Sequence, residues 1–256
     1  MEIRRFNRYE LKYLIHASEY RRLVKDLQHF MSPDPHGDVD GFYRVTSLYY
    51  DSPDFQCYRA KMDGLLYRRK LRLRIYPGTN ILEVNKGFVE IKQRMNRTVQ
   101  KRRIILSLGE AKALCHGDFQ RELADPQDAA VASEVTYLVK AARLRPTCIV
   151  SYRRQAFAGS RLESGMRLTF DMQLQGRITA LTVNEPAHNH YFMPPDWFIM
   201  EVKVNDRIPD WMTALIAKHE CQLRRVSKYC AVVEAGLRRF GRLMAAGASI
   251  EGGTIE

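Results

Sequence analysis

Three cations alternate with apolar residues in the stretch KLRLRIY, residues 70–76. Successive side chains of a β-strand point to opposite faces, so Lys70, Arg72 and Arg74 would share one face. Cations two residues apart on a strand lie about 6–7 Å from one another. A guanidinium group donates paired hydrogen bonds that match phosphate oxygens, and a rigid row of cations suits a ligand that is itself a row of anions. The stretch therefore predicts binding of a polyphosphate-like anion.

Other predicted strands also separate apolar from charged side chains by face. Apolar residues occupy one face, and the opposite face carries mixed charge, as in Glu90, Lys92 and Arg94; Arg167, Thr169 and Asp171; Glu201, Lys203 and Asn205; Glu10 and Lys12. One interpretation is an ordinary antiparallel sheet with its polar face in water. The other turns the polar faces inward around a water-filled tunnel that helices cover from outside. Inward carboxylates would then hold Mg²⁺ or Mn²⁺ against a phosphate ligand.

The hydrophobic periodicity and the turn residues predict an α+β domain over residues 1–246, with a disordered tail over 247–256. Eight strands are expected, at residues 7–15, 43–51, 67–76, 88–95, 98–106, 147–158, 166–178 and 197–205. Helices are expected at residues 17–30, 54–64, 107–115, 128–144, 210–224 and 228–246. Short links between the third, fourth and fifth strands indicate an antiparallel meander.

The composition is strongly basic. Among 256 residues, 41 Lys and Arg stand against 29 Asp and Glu, a formal net charge of +12. Such an excess attracts nucleic acid, an anionic membrane surface or phosphorylated small molecules, and it does not choose among them. The five cysteines include no C-x-x-C pair, which argues against a disulfide framework or a zinc site. We expect a cytoplasmic protein, with docking at the inner face of a membrane left open, because no stretch approaches ~20 apolar residues.

Seven motifs occur in a fixed order: ELKYLIH, TSLYYDSPDFQCY, KLRLRIY, FVEIKQR, LRP…SYRRQAF, MEVKV and SKY. Together they resemble the VTC (vacuolar transporter chaperone) polyphosphate polymerase domain of the triphosphate tunnel metalloenzyme superfamily, from about residue 6 to about residue 236. The resemblance implies an eight-stranded antiparallel β tunnel, a closed barrel with a polar interior. It also implies transfer of the terminal phosphoryl group of ATP to a growing inorganic polyphosphate chain, with release of ADP.

The resemblance assigns roles residue by residue. The phosphate contacts that it implies at the reacting groups are Lys12, Arg72, Arg74, Lys92, Arg154 and Lys228. Further substrate contacts are expected at Lys101, Tyr152, Arg167, Lys203 and Ser227. Glu201 falls on the metal-binding glutamate of the family, and Glu90 is the second candidate ligand for Mn²⁺ or Mg²⁺. The family also implies a separate membrane protein that moves the polymer across a bilayer.

One position departs from the wider superfamily, whose first strand commonly reads E-x-E-x-K. Here Arg8 stands where the first acidic residue is expected, followed by Glu10 and Lys12. This departure favours a single metal ion over a two-metal hydrolytic site.

Three alternatives stay open at this point. A metal-dependent triphosphatase of the same fold would need a carboxylate such as Glu90 or Glu10 to orient water. A non-catalytic module would bind polyphosphate or nucleic acid, and a degenerate relative would sense inositol pyrophosphates. Against nucleic acid, the cations are predicted to lie on strand faces without stacked aromatic rings beside them.

Overall fold

The computed structural model describes residues 9–96, 98–159, 165–205 and 207–245, in one α+β unit. Arg8 and the tail over 247–256 lie outside the described residues. The helices are α1 (Ala17–Leu27), α2 (Gln56–Met62), α3 (Leu108–His116), α4 (Pro126–Ala141), α5 (Asp210–Lys218) and α6 (Lys228–Ala245). The long strands are β1 (Tyr9–His16), β3 (Phe42–Asp51), β4 (Tyr67–Ile75), β5 (Lys86–Met95), β6 (Thr98–Ser107), β7 (Arg145–Ala158), β8 (Arg167–Arg177) and β10 (Trp197–Val204). Three further strands have two residues each: β2 (Ser32–Pro33), β9 (His190–Tyr191) and β11 (Gln222–Leu223).

The strands form one antiparallel sheet with the order β11-β1-β10-β8-β7-β3-β4-β5-β6, while β2 pairs with β7 and β9 with β8. The α+β class and the β4–β5–β6 meander are confirmed. The prediction of a closed eight-stranded barrel is wrong, because the described residues form an 11-stranded sheet whose edges do not pair with each other. The three additional strands are too short to leave an alternating pattern in the sequence.

The open sheet is nevertheless strongly curled. Strands β1 and β5 are six strand positions apart, which on a flat sheet would separate them by roughly 29 Å. Their side chains meet, since Lys92 Nζ on β5 lies 2.9 Å from Glu10 Oε2 on β1. The curl therefore produces a concave face on which residues of distant strands come together, without hydrogen bonding between the sheet edges.

Apolar residues of the strands form the convex face, and helices cover it. Leu71, Leu73 and Ile91 are buried with α3 and α4, in a cluster that also holds Val135 and Leu114. A second cluster packs α1 and α5 against the other half of the sheet through Leu23, Leu27, Phe170, Val202 and Met212. The alternation predicted for KLRLRIY is thus observed, because its leucines lie in this core and its arginines face the other way.

Helix α6 instead packs on the concave face. Tyr229 and Val233 are buried against Tyr49 and Tyr152, which belong to the same face as Arg72 by strand register. Gly176 on β8 allows this close approach, because a Cβ atom there would lie 2.5 Å from Val232 Cγ2. The first turn of α6 is thereby inserted among the charged side chains. None of the described helices is long and apolar enough to cross a membrane.

Candidate active site

A fully buried carboxylate on β5, Glu90, contacts cations of the two flanking strands, β4 and β6. It lies opposite Arg72 of β4 and opposite Arg103 of β6 in the strand register. Arg72 Nε donates to Glu90 Oε2 at 2.6 Å, and Arg103 Nε donates to Oε1 at 2.7 Å. Lys101 Nζ lies 2.5 Å from Oε1, and Arg74 Nε lies 3.9 Å from Oε2. Burial would raise the pKa of Glu90, but the charges of these cations outweigh it and hold the pKa far below its ordinary value.

Hydroxyl groups on β3 and β7 fix the two arginines of β4. Arg72 Nη1 donates to the Tyr49 hydroxyl at 3.0 Å, and Arg74 Nε donates to Ser47 Oγ at 3.1 Å. Arg74 Nη2 also reaches the Tyr152 hydroxyl at 3.5 Å. The guanidinium planes are therefore oriented before any ligand binds, which lowers the entropy lost on binding.

A second buried group forms around Asp171 of β8 and Glu201 of β10. Arg154 of β7 donates to both oxygens of Asp171, from Nε at 2.5 Å and from Nη2 at 2.8 Å. Lys228, at the start of α6, lies between the two carboxylates, with Nζ 2.5 Å from Asp171 Oδ2 and 2.9 Å from Glu201 Oε1. Lys203 Nζ approaches the other oxygen of Glu201 at 3.3 Å.

Glu10 connects this second group to the opposite side of the curl. Lys12 Nζ lies 3.2 Å from Glu10 Oε1 and 3.4 Å from Glu201 Oε1, because Lys12 and Glu201 are direct partners between β1 and β10. Lys92 Nζ binds Glu10 from β5. Tyr152 stands between the two groups on the concave face: its hydroxyl accepts from Arg74 Nη2, and its ring centre lies 5.1 Å from Lys228 Nζ.

Burial lowers the pKa values of two lysines in this site toward neutral pH. Burial, only partly opposed by Glu201, lowers the pKa of Lys203 to about 8. Burial likewise lowers the pKa of Lys101 to about 7, with Glu90 opposing the change. In Lys228 the attraction of Asp171 and Glu201 outweighs burial and raises the pKa far above its ordinary value. The site therefore mixes permanently charged groups with two whose charge depends on pH.

The structure brings most of the predicted site residues together on the concave face: Lys12, Arg72, Arg74, Glu90, Lys92, Lys101, Tyr152, Arg154, Glu201, Lys203 and Lys228. Two others lie at its margins. Arg167 Nη2 binds Asp34 Oδ2 at 2.8 Å and the Tyr43 hydroxyl at 2.9 Å, and among the described residues it makes no ion pair with Asp171 or Glu201. Ser227 accepts a hydrogen bond from Lys70 Nζ at 3.2 Å, just before α6 begins.

Sequence reasoning placed Asp171 on a mixed-charge strand face without giving it a role, and it missed Arg103 and Tyr49 as members of this site. A signal existed for each of them in strand parity. Arg103 shares a face with Lys101, and Asp171 shares one with Arg167. Tyr49 was harder to find, because an aromatic side chain on a half-buried strand is usually interpreted as core.

Oxygen ligands for a divalent cation are present near Glu201, although the described residues contain no group of three or more side chains arranged as a metal site. Glu201 and Glu10 both approach Lys12, and the Thr169 hydroxyl, opposite Glu201 in the register, is buried without a described hydrogen-bond partner. Mg²⁺ often binds through one or two carboxylates plus phosphate oxygens, so these residues fit such an ion. The oxygens of Glu10, Glu90 and Glu201 all contact cations in the free protein, and Glu90 is the most deeply buried of the three.

Contrary to the prediction from the sequence, aromatic rings do lie beside the cations of this site. Arg154 Cζ is 5.2 Å from the centre of the Tyr152 ring, and Arg72 Cζ is 5.9 Å from that of Tyr49. Tyr152 and Tyr49 are buried inside the curled sheet. They orient cations and present no open face on which a base could stack.

The sequence model described as the VTC domain matches residues 7–236. The chain belongs to the VTC domain family. A search of the curated proteins finds no match. Among solved structures, the chain is similar to a Bacillus halodurans protein named as a candidate adenylate cyclase, with 15% identity and a TM-score of 0.50, covering 86% of this chain and 95% of that one.

Two further solved structures match with lower TM-scores. PH1819 from Pyrococcus horikoshii has 11% identity and a TM-score of 0.46, covering 89% of this chain and 99% of that one. HpAC1 from Hippeastrum, named as a candidate adenylyl cyclase with a dominant triphosphatase activity, has 12% identity and a TM-score of 0.48, covering 89% and 95%. At these sequence identities a structural match shows similarity of fold alone. Membership of the VTC domain family therefore rests on the sequence model over residues 7–236.

Proposed function

We propose that this protein is a polyphosphate polymerase that transfers the terminal phosphoryl group of ATP to an inorganic polyphosphate chain. The observation that carries the proposal is the charged concave face of a VTC-domain chain. The cations on it are Lys12, Arg72, Arg74, Lys92, Lys101, Arg103, Arg154, Lys203 and Lys228. The carboxylates paired with them are Glu10, Glu90, Asp171 and Glu201. The face therefore keeps a large positive excess for a polyanion.

The arginines suit the charge that phosphoryl transfer develops. Such a transfer needs donor and acceptor in line, with the charge on the equatorial oxygens stabilised. Arg72, Arg74 and Arg154 present forked donors from two different strands, β4 and β7, so they can surround a phosphoryl group from two sides. Their ion pairs with carboxylates are exchanged for pairs with phosphate when the substrate enters.

No strong general base is needed for a polymerase. The attacking group is a phosphate oxygen that is already ionised at neutral pH. A hydrolase would need a carboxylate free to orient water. Glu90 is fully buried and its oxygens contact Arg72, Lys101 and Arg103. Both oxygens of Glu10 contact Lys92 Nζ, at 3.3 and 2.9 Å, so neither carboxylate is free to orient water. This favours the polymerase over the triphosphatase.

We propose Mn²⁺ or Mg²⁺ as the cofactor, held by Glu201 with Glu10 as a second carboxylate. When bound, the ion would neutralise charge on the phosphate oxygens that face it. Glu201→Gln should then weaken Mn²⁺ binding in the presence of tripolyphosphate, and electron paramagnetic resonance of free Mn²⁺ measures this without turnover. Equal Mn²⁺ binding by the parent and by this variant would contradict the assignment.

The function is tested by giving the purified protein ATP and Mn²⁺ and separating the products on a gel. Polyphosphate that grows with time, together with ADP, supports the polymerase. Orthophosphate without polymer would identify a triphosphatase, and the absence of both products would leave a binding module. Either of these two results overturns the proposal.

A further inference from the structure

The charged face continues outward along β4 and β5, where like charges stand directly opposite each other. Lys70 pairs with Lys92 in the register, and Arg68 pairs with Arg94. Directly opposed like charges normally destabilise a sheet. Lys92 is compensated by Glu10. Arg94 is exposed, and its Nε donates only to a backbone carbonyl, that of Asn96, at 2.8 Å.

Two more cations come from elements that lie against these strands: α2 packs against β4, and Arg225 stands two residues before Ser227, which accepts a hydrogen bond from Lys70 Nζ at 3.2 Å. Lys61 lies on α2, and Arg225 lies in the link that leads to α6. After burial, the largest influences that lower the pKa of Lys61 include the charges of Arg68, Lys70 and Arg225. Burial followed by the charge of Arg94, with a contribution from Arg225, lowers the pKa of Arg68. We name Lys61, Arg68, Arg94 and Arg225 the outer cation group.

The charged groups around Glu90, Asp171 and Glu201 are called the inner site. The outer cation group differs from the inner site in lacking counter-charges among the described residues. Arg72 pairs with Glu90, and Arg154 pairs with Asp171. Within the described ranges, no carboxylate lies at ion-pair distance from any member of the outer cation group. Glu134 of α4 approaches the neighbouring Arg69, on the opposite face of β4, at 3.9 Å. Four mutually repelling cations without partners raise the free energy of the folded protein, and binding of an anion would relieve that repulsion.

Lys70 links the outer cation group to the inner site. Its Nζ donates to Ser227 Oγ and lies 4.7 Å from the centre of the Tyr229 ring, beside the first turn of α6. Arg68, Lys70, Arg72 and Arg74 therefore form one row on one face of β4. A row of four such positions extends about 20 Å, which is longer than a triphosphate group.

We propose that the outer cation group binds the phosphates of an inorganic polyphosphate chain beyond those held at the inner site. The inference rests on the proposed function, which supplies such a chain as acceptor and product. Phosphate is favoured because the group consists only of Lys and Arg, which donate to phosphate oxygens without reading any other feature. The group would hold the chain in place between successive transfers.

The test compares binding of polyphosphate several tens of units long with binding of tripolyphosphate, at one fixed salt concentration. The variant is the double substitution Arg68→Ser and Arg94→Ser. The matched control is Arg69→Ser, which removes a cation from the same strand on the opposite face. The expected result is about a tenfold loss of affinity for the long chain, an unchanged affinity for tripolyphosphate, and no effect of the control on either ligand.

Unfolding of the double variant is not expected to cause the loss of affinity, because removing opposed like charges should leave its melting temperature equal to or higher than that of the parent. Unchanged long-chain affinity in the double variant overturns the inference, and so does an equal loss for both ligands. Tighter binding of single-stranded RNA than of polyphosphate at the same salt would also overturn it, by assigning the group to nucleic acid. The measurement needs no turnover, so a parent protein that makes no polymer contradicts the proposed function separately.

Discussion

Arg72 is bound by two different groups at once, the Glu90 carboxylate and the Tyr49 hydroxyl. The carboxylate supplies charge, and the hydroxyl fixes the plane of the guanidinium group. Arg154 is held in the same manner, by both oxygens of Asp171 with the Tyr152 ring beside it. At the scale of single residues, the arginines are therefore held in fixed orientations in the free protein, and carboxylates compensate their charge.

Arg72→Ala and Arg74→Ala should each weaken tripolyphosphate binding and slow transfer by about tenfold or more, because each removes a charge-assisted bond worth roughly 1.5–3 kcal/mol. Loss of both should weaken binding further. Arg44→Ala is the control, since Arg44 is exposed on the opposite face of β3. Isothermal titration with tripolyphosphate, paired with ATP-dependent polymer formation, measures both effects. If the two variants behave like the control, the arginines of β4 play no part in binding.

Glu201→Gln should abolish metal-dependent turnover while the protein stays folded. The amide has a similar size but loses the charge that would hold the cation. The melting temperature should fall only modestly, because Asp171 still compensates Lys228 and Glu10 still compensates Lys12. Thermal melting and Mn²⁺-dependent turnover are measured side by side. Undiminished turnover would remove Glu201 from the metal site.

Tripolyphosphate binding should weaken as the pH rises through about 8, with uptake of protons on binding. The pKa of Lys203 is about 8 in the free protein, because burial lowers it. A bound phosphate favours the charged ammonium and raises this pKa, so near pH 8 the complex takes up a proton that the free protein had lost. Lys203→Arg, which stays charged, should flatten the dependence.

The measurement is titration calorimetry at several pH values in two buffers of different ionisation enthalpy. The stability of the free protein should respond in the opposite direction. A lysine whose pKa is lower in the folded state destabilises the fold below pH 8, and this effect disappears as the pH rises toward the unfolded value of about 10.4. Affinity that increases above pH 8 would contradict the assignment of Lys203.

At the scale of elements, α6 connects packing to chemistry. Its first turn carries Lys228 to the two carboxylates, and Tyr229 donates to the buried Asp51 carboxylate. Asp51 also accepts backbone N–H groups from Cys57 and Tyr58, at 2.8 and 3.0 Å, at the start of α2. One buried aspartate thus fixes the beginnings of two helices at one end of the charged face.

Gly176→Ala should displace α6 and reduce both stability and turnover. The added Cβ would lie 2.5 Å from Val232 Cγ2 and 2.6 Å from the Ile149 carbonyl oxygen, so the helix must move. Overpacking of this kind destabilises by about 1–3 kcal/mol, and any shift of α6 moves Lys228. Chemical denaturation and polymer formation measure the two effects.

Gly109→Ala is the matched control for this substitution. Gly109 lies in α3, and a Cβ there meets no atom within 4 Å. Alanine in a helix interior is more favourable than glycine by about 0.5–1 kcal/mol, so this variant should be slightly more stable with full activity. Equal behaviour of the two alanine variants would show that the packing of α6 on β8 does not govern the site.

The sequence predicted the long strands and the side on which their charges lie, because alternation with period two is a local property. KLRLRIY shows this most clearly, with Leu71 and Leu73 in the core and Arg72 and Arg74 on the concave face. Closure was not predictable, since pairing between the first and last strands depends on accumulated twist over the whole sheet. The partners of Arg167 were also missed, because Asp34 lies in a loop distant in sequence.

At the scale of the molecule, the net charge of the chain is +12, and its cations are compensated by carboxylates to different degrees in different regions. The inner site pairs its cations with four carboxylates, whereas the outer cation group on β4, β5, α2 and the link before α6 has no carboxylate partner in the part of the chain that the structure describes. Exposed, unpaired cations attract polyanions through a field that salt screens. The affinity for long polyphosphate should therefore fall more steeply with rising salt concentration than the affinity for tripolyphosphate. Titrations at several salt concentrations give the two slopes. Parallel slopes would contradict this separation.

The central claim is that the phosphoryl group of ATP enters a polymer and is not released to water. The most direct measurement is the phosphate balance of a reaction with ATP and Mn²⁺, in which ADP, orthophosphate and polymer phosphate are quantified together. We expect polymer phosphate to rise in step with ADP, with orthophosphate near its background level, and both products to be lost in Glu201→Gln. Orthophosphate that rises in step with ADP, with no polymer formed, would contradict the claim.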